Sequence, residues 1–341
     1  MSKMNDMEEI KVYSEFNNEL IKSWQDLYSL GANYNLSPDW CKLWFKYFKR
    51  KRNLYIITIQ EGDELKLLAP FYIYRNRLSL IGTKPDLYDE FNILYSDVKY
   101  INKLIDYVTN NKLEINFKHV NSESEFGKHL VKNLSGKGIS YISNITELKP
   151  FLNKPFEPKR KLKDDLKRCK NNAVKLYNEE LSFEYNIEDR NNYVKEFITL
   201  HKKRWNGGML VKKANLELFI EDLLMRTDLT TFSRLSLSNL NKTVAYHLGY
   251  NDSDNTFWSS MPVYNTDFKP ISPGKVLLNE LINEVFNRSI KKFDFGRGSE
   301  PYKNWFSDNE SVLFNIDTYN NRIFVIKIRN LLEKILKKIS G

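Results

Sequence analysis

Residues 272–306, SPGKVLLNELINEVFNRSIKKFDFGRGSEPYKNWF, bring together residue types that could hold an anion and do chemistry beside it. Ser272 reads as a helix N-cap, Pro273 as a preset first helical residue, and Gly274 as a point where the backbone can approach a bound group. The amides of a first helical turn lack intrahelical acceptors, and the helix dipole favours negative charge there. This start therefore suits a phosphate, with Lys269 and Lys275 adding charge beside it. The same three residues also make an ordinary cap, and the anion reading gains its weight from the helix and strand downstream of them.

The elements that must position this site can be read around it. Leu277, Leu278, Leu281, Ile282, Val285 and Phe286 fall at helical spacing, with Asn279, Glu280, Asn283 and Asn287 left for the wet side. KKFDFG at 291–296 then alternates Phe293 and Phe295 against Asp294, a strand pattern with a carboxylate opposite the aromatics. NTFWSSMPVY at 255–264 is a second strand. The order strand, loop, helix, strand is the unit in which ligands sit beyond the carboxyl ends of strands.

The runs VAYHLGY at 244–250, the SPGK helix start and DFGRGSEPYKNWF at 294–306 resemble the Gcn5-related N-acetyltransferase (GNAT) superfamily. More narrowly they resemble its tandem-domain branch of Fem-type peptidoglycan ligases, cellulose-biosynthesis-type acetyltransferases and acyl-CoA-dependent nucleotide-sugar N-acyltransferases. Weaker echoes are the basic stretch 159–175, HKKRW at 201–205, NLSPDW at 35–40 and DLYDEF at 86–91. The usual glycine-rich pyrophosphate loop is replaced here by PISPGK at 270–275. The resemblance implies an α/β (α+β) fold of two tandem GNAT-like domains, each a mixed central sheet flanked by helices. The expected division is 1–148 and 149–341, with the acyl-CoA site in the second.

What the resemblance implies chemically is transfer of an acyl group from an acyl-coenzyme A thioester to the amine of a nucleotide-linked amino sugar, such as a dTDP-amino-dideoxyhexose, for surface polysaccharide. Such a reaction needs a neutral amine, donors for the developing oxyanion and an acid for the departing thiolate. The superfamily's oxyanion donors map to Trp258, Ser259, Ser260 and Met261, and the coenzyme grip to Lys269, Ser272, Gly274 and Lys275. His247 shares a strand face with the small Ala245 and Gly249, and an unperturbed imidazole titrates near pH 6.5, so it is a candidate base. Asp294 is the other candidate base, or the carboxylate that orients His247 or the amine; each residue is equally read as structural. Arg297 and Lys303 are placed to hold a substrate diphosphate, with Glu300 in the same strand-end cluster, and Tyr302 or Trp305 to stack on a sugar or base. Tyr88 and Asp89, with Glu90, offer a second wall. Two other classes stand beside this reading: a Fem-type aminoacyl-tRNA-dependent ligase, and a non-catalytic carbohydrate-binding scaffold.

Composition bounds the remainder. The 341 residues are 41% hydrophobic and 14% aromatic, enough to build two domains with packed cores. No run of 18 apolar residues and no apolar leader occurs, and two cysteines, Cys41 and Cys169, make neither a disulfide framework nor a zinc site. A reduced, cytoplasmic, metal-free enzyme is the expectation. The net charge of +10 is concentrated at 154–175, a basic helix with Leu162, Leu166, Cys169 and Ala173 on one face. It lacks the interleaved aromatics of an RNA platform, so no nucleic-acid partner is expected. Prolines at 150, 155 and 158 mark 144–158 as the linker. Residues 322–339, from Arg322 to Ile339, place Ile328, Leu331, Leu332, Ile335 and Ile339 against lysines and arginines, a helix suited either to an anionic membrane or to its own core.

Overall fold

The computed structural model describes residues 8–139, 141–205, 208, 214–307 and 309–318. The N-terminal half runs β1 (Glu8–Tyr13), α1 (Asn18–Tyr28), α2 (Pro38–Phe48), β2 (Asn53–Glu61), β3 (Glu64–Tyr74), β4 (Arg77–Leu80), β5 (Leu94–Tyr95), α3 (Val98–Asn110), β6 (Glu114–Asn121), α4 (Glu125–Gly136) and β7 (Tyr141–Asn153). The C-terminal half runs α5 (Arg160–Tyr177), β8 (Leu181–Glu184), α6 (Asn191–Arg204), α7 (Ala214–Leu224), β9 (Thr231–Leu237), β10 (Lys242–Asn251), β11 (Thr256–Tyr264), α8 (Pro273–Asn287), β12 (Lys292–Asp294) and β13 (Asn309–Thr318). The expected α/β class, a mixed sheet flanked by helices, is what the chain forms.

The strands of both halves join in one sheet, ordered β1-β2-β3-β4-β6-β13-β7-β12-β11-β10-β9-β8, with β5 on β3. Two pairings are parallel, β4 with β6 and β11 with β12; the rest are antiparallel. Strand β13 lies between β6 and β7, so a strand late in the chain completes the sheet of the early half. The larger apolar core spans both halves, from Trp24 and Trp44 to Tyr250 and Trp258, and Tyr34 stacks on Tyr250 at 3.9 Å.

The expected linker at 144–158 is a strand as far as Asn153, and residue 148 falls inside it. Proline is the reason to expect a break there, and the register shows why Pro150 is tolerated. A strand residue points its N–H and C=O to the same side, and the Pro150 carbonyl accepts from Phe295 N–H at 3.0 Å, just past the end of the β12 ladder at Asp294. The missing N–H therefore faces the end of the β12 ladder and takes no bond from the pairing with β13.

Helix α8 buries the six apolar side chains expected of it, and also Asn279, which the spacing assigns to solvent. Helix α5 packs through Leu162, Leu166, Cys169 and Ala173 as its periodicity predicts. Cys41 and Cys169 are free and buried. Among the described residues no helix is long and apolar enough to cross a membrane, and no group of three or more His, Cys, Asp or Glu side chains could hold a metal ion. The basic segment 322–339 lies outside the described residues.

Candidate active site

Strand β11 pairs with β12 over three residues only, Thr256–Lys292, Phe257–Phe293 and Trp258–Asp294. Past Trp258 its β12-facing edge has no strand partner among the described residues, while its other edge stays paired to β10. On that paired edge Gly249 faces Ser259 and Leu248 faces Met261, so Ser260 is the extra residue of a bulge. Gly249 is required beside it, because a Cβ there would collide with the Phe257 ring.

Two clefts open on either side of this bulge. The first, about 280 Å3, lies between β10, β11 and the start of α8. It gathers Lys269, Ser272, Gly274 and Lys275 with His247, Ser259, Tyr302 and Trp305, eight of the residues singled out in the sequence. Arg204, from the end of α6, joins them and stacks over Tyr264 at 3.9 Å. Sequence reasoning leaves Arg204 out of the site, although the HKKRW run in which it sits is the available signal.

The helix start works differently from expectation. Ser272 has φ 44° and ψ 56°, and its side chain caps nothing. Its carbonyl instead accepts from Lys275 N–H at 3.0 Å and Val276 N–H at 3.3 Å, while Pro273 has no N–H. Gly274, in the same first turn, lines the cleft, and a Cβ on it would stand 3.1 Å from the Tyr264 ring. This is a cradle that a side chain would fill, lined by cations. It fits a phosphate group of a coenzyme.

The second cleft, about 360 Å3, lies between the 86–89 loop, α6, α7 and the outer side of the bulge. Ser260 and Met261 line it, with Tyr88, Asp89 and Arg297 as the sequence suggests and Asp86, His201, Trp205 and Tyr250 in addition. Asp89 takes Arg297 N–H at 3.1 Å. Its Oδ1 lies 3.0 Å from where a Cβ would stand on Gly296, and the Ser259 carbonyl lies 3.1 Å from the same point. The carboxylate thus sits at the mouth of the gap between β11 and β12. Burial works against the charge on Asp86, but His119 at 2.9 Å and Arg297 at 3.3 Å hold its carboxyl below the ordinary range.

Several expected roles change. His247 is 1% exposed and bonds Ser259 Oγ at 2.8 Å through Nε2; burial pushes its pKa down to about 3. The ordinary value near 6.5 does not apply, and the small neighbours that promised space beside it are filled by Phe257. A pKa this low keeps the imidazole neutral and makes it a weak proton acceptor at neutral pH. Asp294 is fully buried and does not orient His247: it pairs with Lys149 and Lys292 and accepts Gly296 N–H at 3.0 Å. Arg297 is already matched by Asp86, Asp89 and Glu147. Lys303 is buried and donates to the carbonyls of Gly296, Arg297 and Gly298, with Glu300 at 2.8 Å, so it clamps the loop after β12. Neither cation is left to grip a diphosphate. Trp258 is buried, its indole N–H on Asp252, and lines neither cleft.

The depressed His247 pKa makes a prediction for stability. Between about pH 3 and the ordinary value near 6.5 the unfolded chain binds a proton at this position that the folded chain refuses. Stability therefore rises with pH across that window and is lost as pH falls through it. Denaturant titrations between pH 4 and 7 are expected to show this slope, and His247→Asn is expected to flatten it. An unchanged slope in the variant would assign the acid sensitivity to other groups.

Residues 160–304 match the family model described as an acetyltransferase (GNAT) domain. No curated protein matches the chain in sequence. Among solved structures, FemX is 8% identical with a TM-score of 0.63, over 93% of this chain and 99% of that one. L-PGS from Bacillus licheniformis is 13% identical with a TM-score of 0.57, over 85% and 94%. The C-terminal domain of a putative lysylphosphatidylglycerol synthetase from Agrobacterium fabrum is 9% identical with a TM-score of 0.57, over 93% and 96%. At these identities the likeness is one of fold. Residues 160–304 thus match an acetyltransferase (GNAT) domain, and most of the chain shares its fold with these proteins.

Proposed function

We propose that this chain, with its acetyltransferase domain at residues 160–304, is an N-acyltransferase that takes an acyl-coenzyme A in the first cleft and an amine in the second. The observation that carries the reading is the bulged strand β11, whose Ser259 lines one cleft and whose Ser260 and Met261 line the other. A pyrophosphate at Gly274, beside Lys269 and Lys275, would leave the thioester at the unpaired edge of β11. Backbone N–H groups on that edge are the donors for the carbonyl oxygen as it becomes negative. The amine nitrogen bonds to the acyl carbon as the carbon–sulfur bond breaks. The proton shed by the nitrogen goes to the Asp89 carboxylate, the departing thiolate takes a proton from water, and Asp89 returns its own to solvent, so the sum is one amide and one thiol. His247 stays neutral and holds Ser259. Asp294 holds the Gly296 turn.

The acceptor assigned to the second cleft is a nucleotide-linked amino sugar, a choice supported by the family resemblance and the basic surface. Its amine would meet Asp86 and Asp89, and its diphosphate would lie outside the Arg297 and Lys303 cluster, whose charges are already matched. The fold shared with a putative lysylphosphatidylglycerol synthetase supports a second reading, in which an aminoacyl group is transferred. Calorimetry with acetyl-CoA separates the two, because the second needs no coenzyme. Within the first, Asp89→Asn is expected to lower kcat/KM about a hundredfold or more while coenzyme affinity stays unchanged. Near-normal turnover in that variant would remove Asp89 from the chemistry. Equal rates on free and dTDP- or UDP-linked amino sugars would remove the nucleotide.

A further inference from the structure

We infer that His201 and Trp205, one helical turn apart at the end of α6, select the ring that carries the acceptor amine: Trp205 stacks on its apolar face and His201 donates to one of its hydroxyls. The inference rests on the reading of the second cleft as the acceptor site and names the side chains that choose among amines there. Both residues belong to the HKKRW run at 201–205, whose Arg204 lines the first cleft while these two line the second.

The last turn of α6 is well held. Trp205 N–H donates to the His201 carbonyl at 2.9 Å, so the helical path continues to Trp205 and positions 201 and 205 share a face. Val194, Phe197 and Ile198 bury the preceding turns, and Lys202 reaches Glu217 of α7 at 2.6 Å. His201 is half-buried. Its Nδ1 is closed off from solvent without a hydrogen-bond partner among the described residues, and burial, with the charge of Arg204, pushes its pKa down to about 4. At neutral pH the ring is therefore uncharged and carries one N–H. Buried N–H groups without an acceptor are rarer than unfilled acceptors, which assigns the proton to Nε2, on the edge of the ring left to the cleft. Trp205 is 50% exposed, and the Arg204 guanidinium, 5.4 Å from its ring centre, can cover one face only. The imidazole and indole rings stand 6.4 Å apart and tilted by 38°, so a flat apolar face and an uncharged donor are offered to the same group.

This pair fits a sugar ring better than a simple amine. A pyranose has a face of C–H groups bounded by hydroxyls, which uses a stacking surface and a neutral donor together and leaves its amine to Asp86 and Asp89 in the same cleft. At about 360 Å3 the cleft is near the small end of ligand pockets, roughly 300–1,000 Å3, and has room for one ring. A nucleobase would also stack on an indole, but the ring within reach of the two carboxylates is the one that bears the amine.

The test follows acetylation of a panel of aminohexoses beside their open-chain aminohexitols, which keep the amine and the hydroxyls and lack the ring, by the whole chain at saturating acetyl-CoA. The wild type is expected to favour the ring form about tenfold in kcat/KM, the scale of one aromatic contact. Trp205→Ala is expected to lose that preference through a higher KM for the ring form, and Trp205→Phe to keep most of it. His201→Phe, which removes the donor and keeps a flat ring, is expected to raise KM for ring and open-chain forms alike, and His201→Gln, with a side-chain N–H, to bring it back. Thermal unfolding of the four variants checks that α6 is intact. No ring preference in the wild type, a preference that survives Trp205→Ala, or a His201→Gln enzyme no better than His201→Phe would overturn the inference, with the acceptor reading still open to the Asp89→Asn test. A wild type that binds acetyl-CoA and acetylates no member of the panel would overturn the acceptor reading and this inference with it.

Discussion

Gly274→Asp is expected to abolish measurable coenzyme A binding while leaving the thermal unfolding of the free protein nearly unchanged. The new carboxylate would stand in the cradle proposed for the pyrophosphate, with its Cβ 3.1 Å from the Tyr264 ring. Two like charges about 4 Å apart at an effective dielectric near 20 repel by about 4 kcal/mol, or roughly a thousandfold in affinity. In the free protein the same carboxylate lies in the first turn of α8, where the helix dipole favours it, so the fold is not penalised. Gly274→Ala adds only the crowding against Tyr264 and is expected to weaken binding far less. If Gly274→Asp binds coenzyme A as the wild type does, the pyrophosphate lies elsewhere.

Lys149→Met is expected to have the largest effect on stability. Lys149 is completely buried, paired with Asp294 and with Glu90 at 2.9 Å, and its ammonium sits 4.6 Å above the Trp258 ring. Burial alone would drive off its proton, but the two carboxylates outweigh burial and hold the ammonium charged. Removing it leaves Glu90 without its cation and Asp294 with Lys292 alone, and breaking a buried pair in this way typically costs about 3–5 kcal/mol. Adding Asp294→Asn and Glu90→Gln to the same chain is expected to recover much of the loss, because the stranded charges go with the lysine. Urea titration of the single and triple variants measures both. A single variant as stable as the wild type would mean that the triad carries no net charge energy.

The surroundings of Lys149 also show where sequence reasoning reaches its limit. The phosphate cradle is legible because its signals are local: a proline, a glycine and a lysine in four consecutive residues, then a clean helical stripe. The same holds for the apolar face of α5 and for most strands. His247 can be picked out as a candidate from the sequence, but its ionisation cannot, since its pKa is set by total burial and not by the small residues two positions either side. Arg297 reads as a free cation because Asp86 and Asp89 become its neighbours only through the tertiary fold, and Lys303 because its loop folds back to offer it three nearby carbonyls, which the residue types do not announce. Asp89 reads as one wall residue among several, with no hint that it meets Gly296, 207 positions later in the chain.

The position of β13 has a consequence for how the protein is made. Strands β6 and β7 do not pair with each other, and each takes β13 as its neighbour. During synthesis the early half can form its helices and the hairpins of β1 to β4 as soon as they emerge. Its sheet must then wait with an open slot until residues 309–318 leave the ribosome. For most of translation β6 and β7 each present an unpaired edge, the kind of surface that recruits other strands. Pairing across such sequence separations is also slow. A nascent chain stalled before Asn309 would expose both edges, and this interval is when a chaperone is most needed.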